Sequence, residues 1–189
     1  MAAIKKTQLK DVFIGVSQVM LKKGGIENFN NVAPEIEVPV TVDSLSLSMG
    51  DATLNRVKVH GLQTDWAVTS TPGDFEFSCV IPSISKELID YFFGEANTVK
   101  TDGVEGATID GITYTKAFSF SMKNIQRDLG LIIINEAEDK CVIFKKMTVT
   151  ATFEWSNGST EPIGIKLTGT LVAGEGSDDD DIAFLTKTA

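Results

Sequence analysis

The stretch Met147 to Trp155 constrains the fold most: Met147, Val149, Ala151, Phe153 and Trp155 alternate with Thr148, Thr150, Thr152 and Glu154. A period of two puts the five apolar side chains on one face of an extended strand and leaves the other face to water. Ser156-Asn157-Gly158-Ser159 follows, and Asn-Gly supplies the positive φ angles of a type I′ turn. Ile163, Ile165 and Leu167 then alternate with Gly164, Lys166 and Thr168, so the pattern predicts an antiparallel hairpin.

Other strands follow by the same reasoning. Leu131 to Ile134 and Cys141 to Phe144 are short continuous apolar runs, separated by the polar residues 135–140, and suit strands buried on both faces. Phe75, Phe77, Cys79 and Ile81 alternate with Glu76, Ser78 and Val80, and Phe118, Phe120 and Met122 with Ser119, Ser121 and Lys123. From Ile36 to Met49 the apolar residues are first even-numbered (Ile36, Val38, Val40, Val42) and then odd (Leu45, Leu47, Met49), a phase slip that a bulge or bend near Asp43-Ser44 produces. Such a bend predicts a curved sheet or barrel.

One helix is expected, over about 84–93. Ser83 or Ser85 caps it, Ile84, Leu88 and Phe92 recur every four residues with Ile89 and Phe93 beside them, and Gly94 stops it. Glu95 to Gly111 reads as a long polar loop with a short strand at Val99, and a loop of that length suggests binding or assembly. The expected fold class is mainly β: an antiparallel β-sandwich or barrel with one flanking α-helix and extended terminal arms. The chain divides into an arm at 1–10, a β domain at 11–173, and an acidic loop and tail at 174–189. That tail turns apolar again at Ile182, Phe184 and Leu185, as a segment received by a neighbour would.

The 189 residues suffice for one domain that buries roughly 70% of its unfolded surface. A formal charge of −9 lacks the basic footprint of a protein that grips phosphates, so tight nucleic-acid binding is not expected. No segment approaches the ~20 apolar residues of a membrane span, and the first 21 residues hold no uninterrupted apolar core of an export signal. Membrane insertion and Sec export are therefore not expected, and the Asn157 sequon is read as unused. Cys79 and Cys141 lie in apolar segments far apart, as small buried hydrophobes in a reducing compartment do.

Catalytic chemistry is not legible. His60 is the sole histidine and lies on the polar phase of an expected strand, Val57-Lys58-Val59-His60, where it reads as a surface residue. The glycines of Gly103-Val104-Glu105-Gly106 and Gly174-Glu175-Gly176 have neither the spacing nor the setting of a phosphate loop. Asp178-Asp179-Asp180-Asp181 lacks the spaced ligands of a calcium loop. No enzyme, metal site or cofactor is expected.

The order of elements resembles the major tail tube protein of long-tailed bacteriophages. Asp11-Val12-Phe13-Ile14-Gly15-Val16 followed by Val19-Met20-Leu21-Lys22-Lys23-Gly24-Gly25 is similar to that family's opening strand and turn. Thr71-Pro72-Gly73-Asp74-Phe75-Glu76-Phe77, and then Ile84-Ser85-Lys86-Glu87-Leu88-Ile89-Asp90-Tyr91-Phe92-Phe93-Gly94, resemble its strand and helix. The resemblance spans most of the chain. Tube proteins of contractile and secretion systems share the architecture, so it does not separate a virion or prophage part from a secreted one.

The resemblance implies a protomer of which six form a ring, with rings stacked into a tube that conducts DNA during genome ejection. It implies tape measure, initiator and terminator proteins as partners, and a place in the virion tail after assembly in the host cytoplasm. Candidate assembly positions are Ile4, Leu9, Val99, Val104, Ile182, Phe184 and Leu185, in the arms and the long loop. Candidate lumen or loop acids are Asp102, Glu105, Asp178, Asp179, Asp180 and Asp181, whose charge would repel phosphate and let the genome slide. The alternative is a monomeric β-sandwich binding a carbohydrate or other ligand, with Trp66 and Tyr114 as the best cleft aromatics, although both are expected to pack at the core margin.

Overall fold

The computed structural model describes residues 13–30, 32–41, 43–61, 63–94, 107–114, 126–154, 163–172 and 180–188. The strands are β1 (Gln18–Lys23), β2 (Ile36–Val38), β3 (Ser46–Met49), β4 (Thr53–Val57), β5 (Ala67–Thr71), β6 (Phe75–Ile81), β7 (Ala107–Ile109), β8 (Ile112–Tyr114), β9 (Gln126–Ile134), β10 (Lys140–Glu154), β11 (Gly164–Leu171) and β12 (Ile182–Thr186). The helix, α1, is Lys86–Phe93. Among the described residues every strand pairing is antiparallel. The main sheet runs β2-β1-β9-β10-β11-β6-β3, with β12 attached to β10.

The segment that slips phase joins the two ends of this sheet. Val38 of β2 pairs with Val19 of β1, whereas three residues later the Thr41 amide donates to the Val80 carbonyl of β6 at 2.8 Å. The Val80 amide donates to the Ser44 hydroxyl at 3.1 Å, and β3 then continues along β6. The expected bend is present: Asp43 takes a φ of 64°. The curved sheet thus closes on itself as a barrel.

A second phase change lies within β10. Cys141–Phe144 and Met147–Glu154, expected as separate strands, form one 15-residue strand with a bulge between Phe144 and Met147. The extra residue lets Val142 and Phe144 before it, and Met147, Val149 and Ala151 after it, all point into the core. They meet Leu129, Leu131 and Ile133 of β9, Ile165 and Leu167 of β11, and Phe77, Cys79 and Ile81 of β6. On the other face of β9 and β10, Ile132 and Ile143 pack under Ile26 and Phe29, so these runs are buried on both sides as their composition predicts. Lys145, in the bulge, is 2% exposed and holds its ammonium 4.6 Å from the centre of the Phe29 ring, which keeps a buried cation in contact with a π face.

The helix starts two residues later than expected, at Lys86. Ser85 is the cap, its hydroxyl accepting from the Leu88 amide, and Ile84 precedes the helix and is exposed instead of lining its apolar face. Leu88, Ile89, Tyr91, Phe92 and Phe93 face the core, and Phe93 stacks on Phe153 at 5.6 Å. Gly94 ends the helix in a right-handed conformation, so its use there is not the left-handed one common at helix ends.

Three further expectations change. Glu95 to Gly111 is not wholly loop: β7 and β8 form a hairpin about Asp110 and Gly111, with φ of 49° and 79°, the signs a type I′ turn requires. β4 ends at Val57, leaving His60 in an exposed turn and not on a strand. The tail segment Ile182–Thr186 is not an extended arm but pairs with residues 140–144 of its own chain. The Asn157-Gly158 turn, the Phe118 to Met122 strand and Val99 lie outside the described residues, while the β10–β11 pairing around that turn is present in full from Met147↔Leu171 to Glu154↔Gly164.

Candidate assembly surface

Two ladders share one register. β3 pairs with β6 so that Met49 opposes Phe75, and β4 pairs with β5 so that Thr53 opposes Thr71. In both, the partners' numbers sum to 124, and the Gly50 amide donates to the Asp74 carbonyl between them at 2.8 Å. β3–β4 and β5–β6 are therefore one ribbon, rooted in the barrel and extending beyond it. From Met49 to Val57 the ribbon reaches about 25 Å at ~3.3 Å per residue. Its waist is narrow, since a Cβ on Gly73 would run into the Gly50 carbonyl.

Both strands of the ribbon tip, β4 and β5, are exposed apart from the half-buried Ala67. Directly opposed and alternate residues share a face, which puts Leu54, Arg56, Val68 and Ser70 on one side and Asn55, Val57, Ala67 and Thr69 on the other, while Trp66 lies just before β5, its amide donating to the Val57 carbonyl at 2.9 Å. Arg56 pairs with Asp65 at 3.4 Å. Trp66 is 69% exposed and Tyr114 53%, so neither packs at the core margin as expected. They stand on separate hairpins. On the β7–β8 hairpin, Ala107, Ile109, Ile112 and Tyr114 share one exposed apolar face, and Thr108 and Thr113 meet through their hydroxyls at 3.2 Å on the other.

Beside the root of the ribbon lies an apolar groove of about 440 Å³. Leu45 and Leu47 form one wall, Ile182 and Phe184 the other, and Phe75 and Phe144 reach its floor. The groove exists because β10 changes partner at its bulge, from β12 over residues 140–144 to β11 over 147–154. Among the described residues, neither β12 nor β3 has a second strand partner, so the groove is flanked by two strands with unpaired edges. Phe184 is 77% exposed.

Of the expected assembly residues, Ile182, Phe184 and Leu185 come together on β12, with Ile182 and Phe184 in the groove wall and Leu185 on the opposite side. Asp180 is exposed and Asp181 half-buried, its carbonyl accepting from the Lys145 amide at 2.9 Å. Ile4, Leu9, Val99, Val104, Asp102, Glu105, Asp178 and Asp179 lie outside the described residues. The ribbon and the β7–β8 face were not singled out from the sequence. The Asp110-Gly111 pair between Thr-Ile and Ile-Thr, and the β-branched Val68, Thr69 and Thr71 within Ala67–Thr71, are the signals that mark them.

Among the described residues, no group of three or more His, Cys, Asp or Glu side chains is placed to hold a metal ion, and no helix is long and apolar enough to cross a membrane. Cys79 and Cys141 are free thiols. Burial pushes Cys79 from 9.0 up to about 12, and raises Cys141 as well. Between pH 9 and 12 the unfolded chain therefore loses a proton that the folded chain retains at Cys79, and stability falls as pH rises through that window. At pH 8, a thiol reagent should modify Cys79 at least a hundredfold more slowly in the native protein than in urea, as mass spectrometry of quenched samples will show. Comparable rates in the two states would place Cys79 outside the core.

No protein-family model matches the sequence, and no curated protein does. Solved structures that resemble the chain include a chain of an extracellular contractile injection system, the PVC sheath–tube complex in its extended state. That match has 11% identity and a TM-score of 0.42, and covers 98% of this chain and 100% of the other. A chain of the anti-feeding prophage cap, which terminates the tube, matches at 12% identity and a TM-score of 0.43, over 99% and 96%. A chain of the anti-feeding prophage baseplate matches at 10% and 0.42, over 98% of each. Likenesses at this level assign no function.

Proposed function

We propose that this chain is a structural tail tube subunit that self-assembles into stacked hexameric rings enclosing a DNA-conducting channel. The observation that carries the reading is the pairing, on one subunit, of a projecting ribbon with an apolar tip and an open apolar groove between two unpaired strand edges. A monomer at −9 net charge has no use for large uncovered apolar surfaces, whereas an assembling subunit covers them. Joining sheet edges around a ring also removes the aggregation hazard that free edges carry. The acidity suits a channel through which DNA slides without adhering. Tape measure, initiator and terminator proteins are the partners this role requires, and the virion tail is its place.

Negative-stain electron microscopy over a concentration series, with masses from light scattering on the same samples, tests the reading. Rings or tubes with a central hole are the expected result. A strict monomer at every concentration, with and without preformed tube ends as seeds, would overturn it.

A further inference from the structure

We propose that the ribbon tip is a hinged arm: β4 and β5 turn as one body about residues 50–52 and 72–74, and the barrel does not fix their direction. The hinge belongs to the single subunit and stands whether or not copies form a tube.

Ladder bonds are missing where the ribbon leaves the barrel. The register that pairs Met49 with Phe75 and Thr53 with Thr71 also opposes Gly50 to Asp74 and Ala52 to Pro72. The Gly50 amide donates to the Asp74 carbonyl at 2.8 Å, which marks these as the hydrogen-bonded pairs of the ladder. A regular antiparallel ribbon exchanges two bonds at each such pair. Among the described residues, the Gly50 bond is the only one of them made. Pro72 has no amide hydrogen to give the Ala52 carbonyl. Gly73 lets the strands approach where a Cβ would run into the Gly50 carbonyl, and two glycines leave the backbone there freer to turn than any other residue would. Nothing packs over the waist: Gly50, Asp51, Ala52, Pro72 and Asp74 are exposed, and Gly73 is half-buried.

On either side of the waist the chain is held firmly. Below it, β6 lies between β3 and β11, and the Thr170 hydroxyl donates to the Phe75 carbonyl at 2.7 Å. Above it, β4 and β5 pair along their whole length, from Thr53↔Thr71 to Val57↔Ala67, and with no other described strand. The Trp66 amide bonded to the Val57 carbonyl and the Arg56–Asp65 ion pair tie the far end to itself. No residue of β4 or β5 belongs to the core. Two bodies, each cohesive, thus meet through a few exposed residues and one hydrogen bond, the arrangement in which hinge motion concentrates.

Distances between paired spin labels test this in the full chain, with Cys141→Ser throughout and Cys79 left unlabelled in the core, at a concentration where light scattering shows single chains. One pair joins tip to barrel, Val68→Cys with Thr168→Cys. The controls lie within the barrel, Glu37→Cys with Thr168→Cys, and within the tip, Val57→Cys with Thr71→Cys. The tip-to-barrel distances should spread over a range at least twice as wide as either control. Pro72→Val returns an amide opposite Ala52 and should narrow that range by at least a third. A tip-to-barrel range no wider than the barrel control would overturn the hinge. A wide range that Pro72→Val leaves unchanged would overturn the placing of the pivot at the waist. A within-tip range as wide as the tip-to-barrel one would show strands that fray, and would overturn their turning as one body.

Discussion

Excising the ribbon tip, by replacing residues 51–73 with Asn-Gly between Gly50 and Asp74, should leave a folded subunit that no longer assembles. The shared register makes this separable: the cut falls where the Gly50 amide meets the Asp74 carbonyl, and the four β3–β6 pairs below it remain. Asn-Gly favours the two-residue turn needed to close that ladder. None of the described residues in the excised segment belongs to the core, so the melting temperature should move by no more than about 3 °C, since surface changes stay near ±0.5 kcal/mol. The concentration needed for assembly should rise at least a hundredfold, measured by light scattering and sedimentation. Tubes formed as readily by the excised protein would exclude the tip from the interface.

Phe92→Ala should cost about 3–5 kcal/mol, the usual range for removing a fully buried phenyl ring. Phe92 is 2% exposed and meets Tyr91 edge-on at 5.2 Å. The backbone contact there, Arg127 Nε donating to the Phe92 carbonyl at 2.9 Å, survives the substitution, so the loss reports on packing. Urea unfolding followed by tryptophan fluorescence and circular dichroism measures it, with Ile84→Ala as the reference. Because Ile84 precedes the helix and is exposed, its truncation should change stability by less than about 0.5 kcal/mol. Equal losses at the two positions would restore the helix that sequence spacing predicts, with Ile84 on its buried face.

That contrast shows where periodicity informs and where it misleads. Ile84, Leu88 and Phe92 have ideal helical spacing, yet spacing is blind to which serine caps, and capping at Ser85 leaves Ile84 outside. The alternating run from Met147 and the paired apolar runs were legible because each residue's face follows from its neighbours. The phase slip at Asp43-Ser44 was legible for the same reason. The equivalent slip between Phe144 and Met147 was read as a gap between strands, since two phases with a break between them look the same whether the chain turns or bulges. The candidate site was legible in its β12 wall, through an apolar tail after an acidic run. The ribbon tip was not. Strands that pack on nothing within their own subunit carry no core pattern, so the segments holding Leu54, Trp66 and Val68 give no periodic signal until a partner surface is considered.

The C-terminal strand also sets a timetable. Val142 of β10 pairs with Phe184 of β12, 42 residues further along the chain. At about 5–20 residues per second of synthesis, the β10 edge stays uncovered for roughly 2–8 seconds after it leaves the ribosome. During that interval neighbouring nascent chains on one message present the same open edge to one another.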